Sequence, residues 1–280
     1  MIGLVVDSNS QLPAELAERY AIEVVPLTVS IDGTEYLEGV DLDADDFYAA
    51  WEGDHTPEIS TSQPAPGEFV AAYARLADRG VTEILSIHVA AAMSGTLNAA
   101  RIASAMVDVP VRLVDTGTAS FGISCCAWAA AEVVCAGGSI DMAFEVASER
   151  AASLRTSFVV GLPQLIDRSG RVGDVGVEAA AVGGIPVLAM SGPDLSVLTT
   201  VSDPDAAVAA MVDDALAWPP SDERGLRVAI GSSDASSRPM SLALTDALRD
   251  HRLVAELVQY RIGPSVGAHT GPGTSGLFVF

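Results

Sequence analysis

The residues of this chain best suited to chemistry are hydroxyls gathered where helices begin. Met93-Ser94-Gly95-Thr96 follows the apolar, β-branched run Ile84–Val89 and precedes apolar positions at helical spacing as far as Ala103, a strand, loop and helix pattern. Ser94 stands where a helix N-cap is expected, Gly95 permits close backbone approach, and Thr96 adds a second hydroxyl. The first-turn N–H groups of a helix have no intrahelical partner and lie at the positive end of its dipole. The segment therefore suits an anion, either a carboxylate or a phosphate group. An ordinary serine N-cap accounts for the same residues.

Further polar groups stand at comparable places. In ISTSQPAPGEF, from Ile59 to Phe69, Pro64 and Pro66 keep the backbone extended, and Pro66 suits the first turn of a helix carrying Phe69, Tyr73 and Leu76. Ser60, Thr61, Ser62 and Gln63 are thereby expected on a constrained loop, able to orient a polar head group or merely to cap the helix. Asp7-Ser8 closes the apolar strand Ile2–Val6, where it faces a ligand crevice or only caps the helix Pro13–Tyr20, and Asp115-Thr116-Gly117-Thr118 closes Val111–Val114. Polar residues at the carboxyl ends of successive strands point into the crevice where open α/β sheets bind ligands. The final segment, Arg261 to Phe280, carries Gly263, Gly267, Gly271, Gly273 and Gly276 around a single His269. Such glycine density predicts positive φ angles or close backbone packing, and a histidine in that loop can hydrogen-bond an anionic head group or simply be satisfied by local backbone.

The elements that must position these groups alternate strand and helix through the N-terminal half, which predicts a parallel sheet flanked by helices. Asp32-Gly33 between Ile22–Ser30 and Thr34–Leu37 predicts a tight hairpin, and acidic Asp41–Asp46 leads into a short helix ending at Trp51. After Thr156 the pattern changes. A strand from Ser157, a short helix Leu162–Asp167, a turn Ser169-Gly170-Arg171 and a small-residue helix through Val182 are expected. A hairpin of Ile185–Met190 and Ser196–Val201 about Gly192-Pro193-Asp194 comes next, then a helix Asp205–Trp218. The strand Leu226–Ile230, the helix Ser237–Arg249 and the strand Ala255–Tyr260 follow. The reading is thus α/β throughout: an N-terminal domain over 1–155 and a C-terminal domain over 156–280 with a mixed or antiparallel sheet.

Bulk properties narrow the partners. A chain of 280 residues, 49% hydrophobic, is long enough for two cores. It carries 37 acidic and 15 basic side chains, a formal net charge of −22, and every one of the basic residues is arginine. That field repels nucleic acid and anionic lipid surfaces, and the absence of lysine removes Schiff-base chemistry and a P-loop. An anionic ligand must then be held in one local pocket. No apolar run approaches the roughly 18 residues of a membrane span, and the strand at the start has no signal-peptide character, so a cytoplasmic protein without stable membrane insertion is expected. Cys125, Cys126 and Cys135 have neither C-x-x-C spacing nor a histidine cluster and read as small buried hydrophobes. No metal or cofactor is implied.

Taken together, the N-terminal DSNS, TSQPAPGEF, MSGT, DTGTAS, RSGRVG and GPSVGAHTGPGTSG resemble, in that order and over the whole chain, the DegV family of bacterial fatty-acid-binding proteins. The resemblance implies a larger α/β domain with a mostly parallel sheet, a smaller α/β domain, and one long-chain fatty acid in a tunnel between them. In members of the FakB type the bound acid is presented to a partner kinase, which phosphorylates its carboxylate with ATP, a step of phospholipid metabolism. The protein would then be a carrier and not a catalyst. Carried over by motif, the carboxylate contacts fall on Thr61 or Ser62, on Ser94 and Gly95 with Thr96 close by, and on His269. The chain departs from the family pattern at Thr200-Val201-Ser202-Asp203-Pro204, where a basic cluster is expected, and at Ile185-Pro186, where a Lys-Pro pair often stands. Arg168 and Arg171 bracket a glycine turn and are candidates for a partner-facing patch or for solvated turn residues.

Two other classes fit parts of the pattern. A serine hydrolase would use Ser94 with His269 and Asp7 or Asp115, although AAMSGTL is not a G-x-S-x-G elbow. A small phosphometabolite binder would use the same hydroxyls, although no phosphate-loop or dinucleotide fingerprint accompanies them. For a fatty acid, about 0.8 kcal/mol per methylene over roughly 14 methylenes gives about 11 kcal/mol before entropic losses, ample for tight binding without a covalent bond.

Overall fold

The structure, a computed structural model, describes residues 1–52, 56–162, 184–192, 194–219 and 225–280. In chain order the elements are β1 (Ile2–Asp7), α1 (Ala14–Tyr20), β2 (Ile22–Val25), β3 (Thr28–Ile31), β4 (Thr34–Leu37), α2 (Ala44–Ala49), β5 (Ile59–Ser62), α3 (Pro66–Asp78), β6 (Glu83–His88), α4 (Thr96–Ser104), β7 (Val111–Asp115), α5 (Phe121–Cys135) and α6 (Ile140–Ala152). Then follow β8 (Arg155–Val159), β9 (Ile185–Ser191), β10 (Asp194–Val201), α7 (Pro204–Ala217), β11 (Leu226–Ser232), α8 (Arg238–Leu248), β12 (Val254–Arg261), α9 (Pro264–Thr270) and β13 (Ser275–Val279). The helix expected at Leu162–Asp167, the turn Ser169-Gly170-Arg171 with Arg168, the helix through Val182 and Pro193 lie outside the described residues, Leu162 itself excepted. The chain divides into two compact units, Met1–Leu42 with Glu58–Ala152, and Asp43–Pro57 with Ser153–Phe280.

Unit 1 is built on a parallel sheet of order β2-β1-β6-β7. Strands buried on both faces read as nearly continuous apolar runs, which explains the composition of β1 and β6. Side chains alternate, so Val5 and Ile84 join Phe69, Ala72, Tyr73 and Leu76 of α3 and Ala99, Ala100 and Ala103 of α4 in one core. Leu4, Val6, Leu85 and Ile87 point the other way, where α5 and α6 pack on the sheet. Asp32 (φ 49°) and Gly33 (φ 81°) make the positive-φ turn of the β3–β4 hairpin. Ser60 to Ser62, expected on a loop, instead lie in β5, an antiparallel partner of β3 in a sheet of order β4-β3-β5. The alternation of partly covered Ile59 and Thr61 with exposed Ser60 and Ser62 is that of a half-buried strand. Pro66 occupies the first turn of α3 as expected.

Unit 2 carries a six-stranded mixed sheet, β10-β9-β8-β13-β11-β12, in which only β11 and β12 run parallel. One face is covered by α7 and α8 through Met211, Leu244 and Leu248, packed on Val159, Val187, Val228 and Leu277. The terminal glycine-rich segment, expected as a loop, is a short helix followed by β13, which is buried along its length between β8 and β11. Gly276 makes that position possible: a Cβ there would lie 2.6 Å from the Ser157 carbonyl oxygen and 2.8 Å from Phe158 Cα. Helix α2 packs on α9 within this unit, although its sequence lies among the strands of unit 1.

Candidate functional site

The carboxyl ends of β1, β6 and β7 form one edge of the unit 1 sheet, and the segment Val89–Gly95 springs from its centre. Its main chain is tied down at successive residues. Val89 N–H donates to Asp7 Oδ2 (3.1 Å), Ala90 N–H to the Thr118 carbonyl (2.9 Å), and Ala91 N–H to Asp115 Oδ1 (3.2 Å). Thr116 Oγ1 donates to the His88 carbonyl at 2.8 Å. Asp7 and the Asp115–Thr118 turn, read from the sequence as polar groups at strand ends, thus hold the loop that carries Ser94.

Helix α4 begins one residue later than expected. Its N-cap is Gly95, without a side-chain cap bond, so Ser94 lies just before the cap position. Ser94 Oγ nevertheless accepts from Thr96 N–H (3.2 Å) and lies 2.8 Å from Thr96 Oγ1. Thr96 is fully buried while Ser94 is half-buried. When both the amide and the hydroxyl of Thr96 donate to Ser94 Oγ, the Ser94 hydroxyl proton is left to donate elsewhere. The buried threonine orients the accessible serine.

The two hydroxyl segments meet through Gln63, whose side chain fills the space over Gly95. This contact joins TSQP and SGT within unit 1. Thr61 is half-buried in register with Val29, and Ser62, exposed, in register with Thr28.

His269 belongs to unit 2, in the last turn of α9 and not in a loop. The chain beyond it is fixed by hydrogen bonds. Gly273 N–H donates to Asp234 Oδ1 (2.7 Å), Thr274 Oγ1 lies 3.1 Å from the Thr270 carbonyl and 2.9 Å from that of Gly271, and Leu162 N–H donates to the Thr270 carbonyl (3.2 Å). Asp234 is partly desolvated, which opposes its ionisation. Donors from Gly273, Ser233 and Ser236 outweigh that and hold its carboxyl below the ordinary aspartate value. Gly271 and Gly273, at φ 76° and 81°, meet the expectation of positive φ.

A further polar group, marked by no sequence motif, lies buried behind the loop. His88 is fully buried, its Nδ1 2.9 Å from Asp7 Oδ2 and its Nε2 2.6 Å from Ser86 Oγ, which is 2.9 Å from Tyr73 Oη. The available signal was a serine and a histidine at alternate positions of an otherwise apolar strand, on the face that also bears Ile84. Burial pushes the Tyr73 hydroxyl up to about 12, a shift that its bond with Ser86 partly offsets. Asp7, His88 and Ser86 have the connectivity of a catalytic triad, but all three are inaccessible. The carboxylates expected to orient His269 in a hydrolase are engaged here, Asp7 by His88 and Val89, Asp115 by Ala91 and Gly117.

Cys125 and Cys126 are buried in α5, as expected, whereas Cys135 at its end is exposed. Among the described residues no cluster of histidine, cysteine and carboxylate side chains could hold a metal ion, and no helix is long and apolar enough to cross a membrane.

The sequence profile of the family described as "Uncharacterised protein, DegV family" matches residues 1–280. A DegV domain-containing protein of Streptomyces coelicolor is 34% identical over 280 residues, covering 99% of this chain and 98% of its own. A solved structure from Thermus thermophilus, described as a fatty-acid-binding DegV family protein, superposes with a TM-score of 0.89 at 27% identity, over 100% of this chain and 99% of its own. DegV of Bacillus subtilis, described as a fatty acid binding protein, gives 0.84 at 25% identity over 100% and 99%.

Proposed function

The chain belongs to the DegV family, and from that premise we propose that it binds a long-chain fatty acid, with the carboxylate received by Ser94 and by Thr61 or Ser62. The observation that carries this reading is the Ser94–Thr96 pair, in which a buried threonine holds a half-buried serine hydroxyl at the start of α4. Hydroxyl donors suit a carboxylate that would be costly to bury unpaired. Gln63 and Gly95 keep the two segments together. Whole-chain likeness to two fatty-acid-binding proteins supports the ligand class.

The proposal extends to His269 as a further donor and to an acyl chain lying between the two units, as the family resemblance implies. It also extends to presentation of the carboxylate to a kinase, with this chain as carrier. Serine donors fit that role because, unlike an arginine fork, they leave a head group open to a second protein. Native mass spectrometry of the purified protein tests the core of the reading. A long-chain fatty acid released by organic solvent is the expected result, and a protein that neither carries such a mass nor takes up oleate after delipidation refutes it. Acyl-phosphate formation with a fatty acid kinase and ATP tests the extension.

A further inference from the structure

We infer that Asp7 and His88 are positioning residues for the Ser94 loop, acting through the main chain at Val89. The inference rests on the reading that Ser94 receives the ligand's carboxylate. A single oxygen, Asp7 Oδ2, accepts both the Val89 N–H (3.1 Å) and the His88 Nδ1–H (2.9 Å). Val89 is the first residue after β6, so this oxygen sets where the loop leaves the sheet.

The histidine is itself locked. A consistent set of donors runs through it: Tyr73 O–H to Ser86 Oγ, Ser86 O–H to His88 Nε2, and His88 Nδ1–H to Asp7. The ring of Phe69 meets the imidazole edge-on, with centroids 5.1 Å apart. Phe69 and Tyr73 both project from α3, the helix that begins three residues after Gln63. The chain of bonds therefore runs from the helix behind TSQP, through the centre of the sheet, to the first residue of the SGT loop. Every side chain of it is fully buried, so no water competes for the donors and a substitution that removes a bonding group leaves its partner unsatisfied. A role confined to stability would not require the last link to end on the loop's own amide.

The test compares delipidated wild type with His88→Phe, which keeps the bulk and loses both ring hydrogen bonds, and His88→Asn, whose side-chain N–H₂ can replace Nδ1–H toward Asp7. Oleate affinity is read by calorimetry and amide exchange across residues 89–96 by mass spectrometry without ligand. His88→Phe is expected to weaken oleate binding about tenfold, a change equivalent to about 1.4 kcal/mol. It should also speed exchange in 89–96 while α5 and unit 2 exchange as before, and His88→Asn should recover most of both effects. Nitrogen NMR of wild type should show His88 protonated at Nδ1. Should His88→Phe fail to fold, Asp7→Asn and Asp7→Ser supply the same comparison, because the asparagine oxygen can still accept from Val89 and the shorter serine falls away from it. A folded His88→Phe with wild-type affinity and exchange overturns the inference, as does a loss that the asparagine does not recover. A wild type that binds no oleate refutes the proposed ligand instead, leaving the exchange comparison to judge the positioning.

Discussion

The side chain of Gln63 occupies the space that a side chain at Gly95 would need. A Cβ built on Gly95 would overlap the Gln63 carboxamide, the far end of a flexible side chain and not backbone. Gly95→Ala should therefore cost little stability, within about 1 kcal/mol, because Gln63 can swing away. It should nevertheless weaken fatty acid binding by removing the Gln63 contact that joins the two hydroxyl segments. Paired denaturation and calorimetry measure this, and a loss of affinity that merely tracks a loss of stability would count against the contact.

Ser94→Ala removes the accessible donor. Binding should weaken by roughly 1–3 kcal/mol, the usual cost of a lost donor to a buried charged group. Stability should fall by about 1 kcal/mol because Thr96, fully buried, loses a partner for its amide and hydroxyl. Thr61→Val is the companion. Unchanged affinity in both variants would remove these hydroxyls from the site.

Much of unit 1 was legible because its signals are local. The apolar runs of β1 and β6, the Asp32-Gly33 turn and Pro66 each predict their own structure without reference to distant residues. The Ser60–Ser62 strand was not, since alternation over four residues resembles a hydroxyl-rich loop and only the pairing with β3 decides it. In β13 the five-residue run Ser275–Val279 follows a dense set of turn glycines, and Gly276 belongs to the strand because Phe158 lies against it. Likewise nothing along the chain announces that α2 packs with unit 2, which is a property of Phe47 and Tyr48 meeting Gly267. In the candidate site, the residues offering hydroxyls are recognisable by type. The groups behind them, His88 above all, carry no such mark, because a buried histidine in a strand has the same sequence signature whether it supports a loop or only the core.

Gly276→Ala should act in the opposite way to Gly95→Ala. The obstructing atoms are Phe158 Cβ and the backbone of β8, none of which can swing aside, so strands must separate, and a loss of roughly 1–3 kcal/mol or more is expected. Chemical denaturation checks it, and a variant as stable as wild type would mean the sheet can widen freely at this pair.

Acid should loosen the turn that follows His269. The Asp234 carboxyl is held below its ordinary value of 3.8 by the donors from Gly273, Ser233 and Ser236, despite the opposing effect of burial. A depressed carboxylate contributes stability that is fully present above the ordinary value and is lost as pH falls through the folded one. Asp234→Asn should therefore be less stable than wild type near neutrality, with the difference shrinking once the pH drops below the ordinary aspartate value. A pH-independent difference would show that the charge on Asp234 does not matter.

His269 separates the carrier reading from a hydrolytic one. A general base must reach the nucleophile and be oriented by a third group. The two aspartates that could have served are taken up elsewhere in unit 1, Asp7 by His88 and Val89, Asp115 by Ala91 and Gly117. A histidine that only donates to a carboxylate needs no such orienting partner, and its position in the last turn of α9 is set by the Gly273–Asp234 and Leu162–Thr270 bonds. His269→Ala should therefore fold as wild type does, lower fatty acid affinity or kinase-dependent acyl-phosphate formation, and leave ester hydrolysis at background in both proteins. The assays are run side by side on delipidated protein with oleate, with p-nitrophenyl esters, and with a fatty acid kinase and ATP. Wild-type ester turnover well above background that disappears in His269→Ala would refute the carrier reading and restore Ser94 as a nucleophile. Equal binding and phosphorylation in the two proteins would instead make His269 a structural residue of α9, with the hydroxyls of unit 1 holding the carboxylate alone.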